Sequence, residues 1–403
     1  MMRQLYLALV SFAAVLGANA QMDSVLTLIS KIDFQPSHEL HDGNQILLMG
    51  YSSTIGGSLN LPSPTLEFKE NDSIQLDMWN LSQGPPHTIH LHGLDVDQEN
   101  DGVPALSFSV AHDDTGSYIF KAPHPGTYLY HCHETSVLHV QAGMYGVIIV
   151  RPNSADTMTW DNGYSFHSER TWLMSEIDTN WHHDTIINHT YDSTAMTHLV
   201  LDYRPQHFLI NGKSEHQLVG NVELFASLGE QVYLRLANIG NYGNRMILSS
   251  VLNAQQVSSD GRPLPNTVLS DTIEILPGER YGVLLDCDAH FQGTGVVEYF
   301  NLNTGQVENT QNIAVTVDGY VGISEYLEEP KMFPNPATNQ LMIVLPESIQ
   351  EMASVTIENM LGRRVLEQKI SDKPIIIAPL VSGNYIVRIR SKGREWNRKL
   401  IIQ

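Results

Sequence analysis

Two short stretches concentrate donors of the kind that hold metals. PPHTIHLHG, residues 85–93, carries His87, His90 and His92. YHCHETSVLHVQAGM, residues 130–144, carries His131, Cys132, His133, His139 and Met144. Successive side chains of a strand point to opposite faces, so residues two apart share one. His131 and His133 therefore point one way and Cys132 the other. His90 and His92 share a face by the same rule, and His87, an odd number of residues away, falls on the opposite one. Paired as neighbouring strands, the two stretches place His90, His92, His131 and His133 on one side, with His87 and Cys132 on the other.

Each set implies a chemistry. A thiolate, two imidazoles and a weak axial thioether make a blue-copper electron-transfer site. Cys132, His139 and Met144 offer three of these donors on one strand-to-loop segment, and His87 the fourth from the neighbouring strand. The histidine-only set suits copper that binds a small ligand such as oxygen. Zinc also takes Cys and His donors, but it has no need of a two-sided alternating pattern. A Cys132–Cys287 disulfide is open to an exported chain; the neighbours of Cys132 point to metal chemistry instead.

The elements that must position these donors read as strands. Short β-branched and aromatic runs such as SIQLDMWNL, GTYLYHCH, YGVIIVRP and RYGVLLDCD are separated by Gly, Pro, Asn and Asp. That is the pattern of β-sandwiches. A basic start, an apolar run from Leu5 to Leu16 and Ala18-Asn19-Ala20 predict a secretory signal peptide over residues 1–20. Polar stretches after Pro152 and across 318–330 mark further boundaries. Charge agrees: residues 331–403 hold 11 of the 23 Lys/Arg and only 6 of the 44 Asp/Glu, and no histidine lies beyond His290. The net charge of −21 thus sits on an acidic body, which argues against nucleic-acid or anionic-membrane partners.

With those residues in view, a family resemblance can be drawn. HTIHLHG resembles the H-x-x-H-x-H-G motif of multicopper oxidases, and HCHETSVLHVQAGM their H-C-H…H…M motif; DGVPALSFSV and HPGTYLYHCH resemble the segments between. The resemblance implies type 1 copper ligands at His87, Cys132, His139 and Met144. It implies a type 2 ligand at His90, and type 3 or shared ligands at His92, His131 and His133. The interval from Cys132 to His139 is two residues longer than in most three-domain members. HFLINGKS, VYLRLANIG, SSDGRPLP and LPGERYGVLLD resemble a metal-free copy of the same cupredoxin domain, in which Cys287 is a small buried apolar residue. Residues 331–403, with Pro334-Asn335-Pro336, Leu361-Gly362-Arg363, Gly383-Asn384-Tyr385 and a basic last strand, resemble the type A sorting domain of type IX secretion. A carbohydrate- or partner-binding β domain is the alternative there.

The expected fold class is all-β: two cupredoxin-like Greek-key β-sandwiches and a small β-sandwich sorting domain. The expected boundaries are 1–20 signal peptide, 21–155 copper-binding domain, 156–318 second cupredoxin-like domain, 319–330 linker and 331–403 sorting domain. The expected activity is that of a secreted copper oxidoreductase. It would take electrons from a phenol-like or metal-ion donor at type 1 copper and pass them to an oxygen-reducing copper centre. A copper-binding electron-transfer protein and a nitrite-reductase-like enzyme are the alternatives. The family's oxygen-reducing cluster takes eight histidines, and this pattern offers four. A second copy across a two-fold axis would supply the rest, making a homo-oligomer the expected partner. His182, His183, His189 and His198 form another possible donor stretch, read as a solvated loop. Asp95, Asp97, Glu99 and Asp101 either form a solvated turn or serve a cationic substrate or proton delivery. The remaining expected partners are the electron donor, oxygen and the type IX machinery, with the protein at the outer surface or released.

Overall fold

The computed structural model describes residues 22–56, 58–84, 86–187, 203–318, 330–345, 353–359, 363–370, 373–391 and 394–402. The expected signal peptide, all of the linker but Pro330, His189, His198 and Leu361-Gly362 lie outside these residues. The chain divides into two compact units, Met1–Gly319 and Tyr320–Gln403.

The first unit holds two β-sandwiches. In the first, one sheet has Ser24–Ile32 at its centre, between Met49–Ser52 and the parallel Ser73–Asn80, which pairs in turn with Thr115–Lys121. Ser73–Asn80 shows why it is a strand: every second residue, from Ile74 to Asn80, is buried. The facing sheet runs Leu66–Lys69, Tyr145–Arg151, Gly126–His131, His90–His92. The second sandwich has six- and five-stranded sheets, from Ser168–Ile177 through Val307–Asp318. Among the described residues no helix is long and apolar enough to cross a membrane.

The strand GTYLYH, Gly126–His131, is buried at every position but the last. Its two faces have different neighbours. Tyr128 and Tyr130 enter the first sandwich's core with Ile148 and Val150. Leu129 faces the other way, joining Tyr145, Val147 and Ile149 against Leu173, Ile177, Leu209 and Ala237 of the second sandwich. The histidine-bearing sheet is thus clamped from both sides by apolar packing, worth roughly 25 cal/mol per Å² removed from water.

The second unit consists of a sheet of Lys331–Phe333, Gln340–Val344 and Ile375–Ile376, and a sheet of Arg364–Lys369, Ser354–Asn359, Gly383–Ser391 and Arg394–Ile402. Its own core includes Leu341, Val355, Ile357, Val387, Ile389 and Leu400.

Candidate metal centre

The two histidine stretches pair as neighbouring antiparallel strands, with His90 opposite His131 and His92 opposite Leu129. Alternation then separates the donors into two groups.

On the core side, Cys132, His87 and His139 are fully buried. Cys132 Sγ lies 3.2 Å from His139 Nδ1 and 3.6 Å from His87 Nδ1. The Nε2 atoms of both histidines are buried without a partner. Met144 is fully buried in the same apolar cluster as Cys132. Its backbone closes the loop: Met144 N–H donates to His139 O at 2.9 Å, and Cys132 N–H to Met144 O at 3.1 Å. Burial lowers the His87 pKa, assisted by His139, and lowers that of His139 to about 4. It pushes the Cys132 thiol up to about 11. Two neutral imidazoles thus aim lone pairs or N–H groups at one sulfur. A cation there would favour the thiolate and claim both Nδ1 atoms. Thiolate, two imidazoles and a nearby thioether fit copper.

Two local details differ from the sequence reading. His139 rides on an α-helix, Ser136–Ala142, rather than a strand-to-loop segment. Gly143 ends that helix at φ +115°, donating its N–H to Val140 O, and the chain re-enters the sheet at Tyr145. A Cβ at Gly143 would stand 3.0 Å from Met49 O. His87 lies before its strand, in an isolated bridge to Val110. Hydrogen bonds from Tyr51 Oη to Thr88 O, from Ile89 N–H to Tyr118 Oη and from His133 N–H to Thr88 Oγ1 hold that segment instead of a ladder.

On the other side, nitrogens of His90, His92 and His131 lie within 4.8 Å of one another. His92 Nδ1 is 3.2 Å from His131 Nε2. His133 packs its ring on His90 and His131, at centroid separations of 5.2 and 6.0 Å, without joining the three-nitrogen group. Neighbouring carbonyls set the rings: His90 Nδ1 meets Asp101 O at 2.7 Å, and His131 Nδ1 meets Cys132 O at 3.0 Å. Each contact leaves Nε2 as the ligand nitrogen, the usual role of such partners. Burial lowers His131 to about 3; burial and Arg280 lower His92 to about 4. Both imidazoles are therefore neutral and able to ligate.

The second sandwich forms part of this site's wall, which the sequence did not disclose. His92 and His131 border a cleft with Glu176, Tyr203, Asn241 and Gly278, and no described second-domain histidine lines it. Arg280 presses so closely on Gly93 that a Cβ there would meet Nη2 at 2.1 Å. Glu176 is buried, with Oε1 held by Asn241 N–H and Tyr203 Oη; burial raises it to about 7.

The remaining expectations resolve individually. Cys132 and Cys287 are both free and buried, and Cys287 lies in the second sandwich's core. Asp97 caps the turn Gln98–Asn100, Asp95 pairs with Arg262, and Asp101 faces His90 with Oδ1 at 3.3 Å from Nδ1. His182 is not part of a solvated loop: it is 4% exposed, in the turn Thr179–His182, because its Nδ1 anchors to Leu47 O. His183 is exposed.

Fold and donors define a cupredoxin-type protein. Residues 42–155 match the multicopper oxidase family model, and residues 331–403 that of the secretion system C-terminal sorting domain. Copper resistance protein A of Escherichia coli is 40% identical over 111 residues, 27% of this chain and 18% of that protein. Laccase 1 of Metarhizium guizhouense is 37% identical over 102 residues, 25% of this chain and 16% of that one. The chain thus spans less than a fifth of the length of these curated relatives. The crystal structure of the blue copper oxidase from Nitrosomonas europaea superposes with a TM-score of 0.56 at 23% identity, covering 77% of this chain and 92% of that one. That likeness establishes the cupredoxin fold. The chain carries a multicopper oxidase domain and a C-terminal secretion sorting domain.

Proposed function

We propose that this chain is an exported copper-dependent oxidoreductase of the multicopper oxidase type. It would take electrons one at a time from a phenol-like or metal-ion donor and pass them to an oxygen-reducing copper centre. The observation that carries this reading is the adjacency of His131 and Cys132, consecutive residues that belong to different donor groups. Cys132, His87, His139 and Met144 would hold type 1 copper, and His90, His92, His131 and His133 the type 2 and type 3 copper. Bound copper would supply one-electron exchange at the first group and an oxygen site at the second.

The chain's own residues supply enclosure and position. The apolar cluster around Cys132 excludes water from the thiolate group. The helix and its glycine cap fix His139 and Met144 to one short loop. Carbonyls of Asp101 and Cys132 orient His90 and His131. Four histidines are half of what the family's cluster takes, so the reading includes a second copy of the chain facing the His90–His133 side, where both of these histidines are partly exposed. The sorting domain supports export by the type IX machinery, to the outer surface or beyond it.

Copper per chain, solution mass and oxygen uptake test the reading together. About two and a half coppers per chain in an oxygen-consuming dimer support it. About one copper in an inactive monomer would make this an electron-transfer protein. Turnover of nitrite without oxygen uptake would replace it with a nitrite reductase.

A further inference from the structure

Four histidines outside the donor groups reach across the seam between the two sandwiches. The hairpin formed by His38–Glu39 and Gln45–Ile46 is only two residue pairs long. A hairpin of that size is marginal by itself, so its place depends on what it touches. His38 Nε2 meets Gly212 O at 3.2 Å, and His41 Nδ1 meets Ser214 Oγ at 3.0 Å. From the other side, His207 opens the strand His207–Ile210 and brings its Nδ1 to 3.3 Å from His41 Nδ1. Its Nε2 lies 3.8 Å from the Asp42 carboxylate. His182 Nδ1 reaches Leu47 O at 2.7 Å, and Gln217 donates to Glu39 O at 3.0 Å. Leu40 and Ile46 pack in one cluster with Leu173 and Leu209.

The His41–His207 contact is the sensitive one. Its rings meet edge to face at a centroid separation of 5.0 Å. Two imidazole nitrogens at this distance share one hydrogen, which one ring donates to the lone pair of the other. One added proton is tolerated, because a charged His207 still donates from Nδ1 and has the Asp42 carboxylate beside it. A second proton leaves two N–H groups and two like charges facing each other, with no lone pair between them. Burial, the largest cause, lowers the His207 pKa, with Asp42 raising it and His41 lowering it. Hydrogen bonding from Asn44 N–H holds Asp42 below the usual carboxylate range, so it stays ionised. Lys213 and His182 are the other charged or titratable groups that face these rings. Burial, then Lys213 and His182, lower His38 to about 4 against the Gly212 hydrogen bond.

We propose that the His41–His207 contact is a pH-sensitive latch between the sandwiches, which releases the hairpin of residues 38–46 when both rings are protonated. The sign follows from the lowered pKa of His207. The contact's stabilisation is complete above the ordinary imidazole range and is lost as pH falls below it. None of the residues in the latch belongs to either donor group, so the inference stands apart from the oxidoreductase reading. It nevertheless has a route to the thiolate group. The hairpin runs on into Leu48 and Met49, which lie against Gly143, the glycine between His139 and Met144. Release of the hairpin therefore loosens the support of the loop that carries both of those side chains.

The test reads hydrogen exchange of the full chain in the presence of copper, at about pH 7 and about pH 5, corrected for the intrinsic rate at each. One proton taken up on opening changes protection about tenfold per pH unit. Protection of residues 38–46 and 207–214 should therefore fall about tenfold or more across this interval, and that of Gly126–His131 by much less. His41→Asn and His207→Asn each keep a polar atom near the Nδ1 position and cannot take up a proton. Each should hold the hairpin at about pH 7 and lose most of the pH response. Equal hairpin protection at the two pH values, an equal fall in Gly126–His131, or an undiminished response in both variants would overturn the latch. Where a substitution opens the hairpin even at about pH 7, the profile of the parent protein decides.

Discussion

His131 and Cys132 are consecutive in the chain yet face different donor groups. The His131 ring packs against His90 at a centroid separation of 5.1 Å, while Cys132 Sγ turns to within 3.2 Å of His139 Nδ1 on the other side. One peptide bond therefore joins the groups, and His131 Nδ1 contacts Cys132 O, the carbonyl of the peptide that follows it, at 3.0 Å. Any change that rotates the joining peptide displaces both groups together.

The first prediction separates them. Cys132→Ser keeps the volume and removes the soft ligand, so thiolate-to-copper absorption should vanish while copper at the histidine face is retained. A His92→Ala/His131→Ala double variant should do the reverse, keeping the thiolate signal and lowering copper to about one per chain. Metal analysis and absorption spectra of the two variants check the division. Joint loss in both would mean that the groups do not bind metal independently.

How much of this was legible in the sequence depends on how local the cause is. Strand parity is a property of neighbours, so the two-sided placement of His90, His131 and Cys132 could be read directly. The helix under His139 could not, because VLHVQA within residues 137–142 is too short for a periodic signal and its β-branched residues suit a strand. What decides it is the left-handed Gly143 cap and the packing of the helix on the turn at 179–182. The burial of His182 depends on Leu47 O, 135 residues away. The Arg280–Gly93 contact likewise joins the two sandwiches, beyond the reach of any window of sequence.

Gly143→Ala tests the cap. An L-residue at φ +115° is strained, and its Cβ would approach Met49 O to 3.0 Å. A loss of roughly 1–3 kcal/mol in folding stability is expected. Because Gly143 sits between His139 and Met144, thiolate-to-copper absorption should shift as well. Denaturant midpoints and spectra of the copper-loaded variant check both parts, and an unchanged spectrum would show that Met144 tolerates a displaced cap.

Gln141→Leu cuts the link between the His139 helix and the second sandwich. It leaves the buried Asp178 N–H and Glu176 carbonyl without their amide partner, at a cost of roughly 1–3 kcal/mol. The Gln141 amide bonds to Glu176 O and Asp178 N–H, both in the second domain. Hydrogen exchange should therefore rise in the helix and in residues 178–182 before it rises in Gly126–His131.

The buried titratable groups set two opposed pH dependences. Burial lowers His38, His139 and His182 to about 4 and His131 to about 3 from an ordinary 6.5. Below pH 6.5 the unfolded chain takes up these protons first. The stability that these histidines contribute is thus complete above that pH and is lost as pH falls toward their folded values. Glu176 works the other way: burial raises it from 4.5 to about 7, so its contribution is lost as pH rises through that interval. Glu176→Gln removes the cost of ionising a buried carboxyl while keeping an oxygen for Asn241 N–H and Tyr203 Oη. The metal-free protein should therefore melt lower as pH falls from about 6.5 to 4, the several histidines outweighing one carboxyl. The Glu176→Gln variant should gain more, relative to the parent, at about pH 8 than at about pH 4.5. Melting curves of both proteins across that range decide the matter. A gain independent of pH would mean that Glu176 stays ionised in the fold through some partner other than Tyr203 and Asn241.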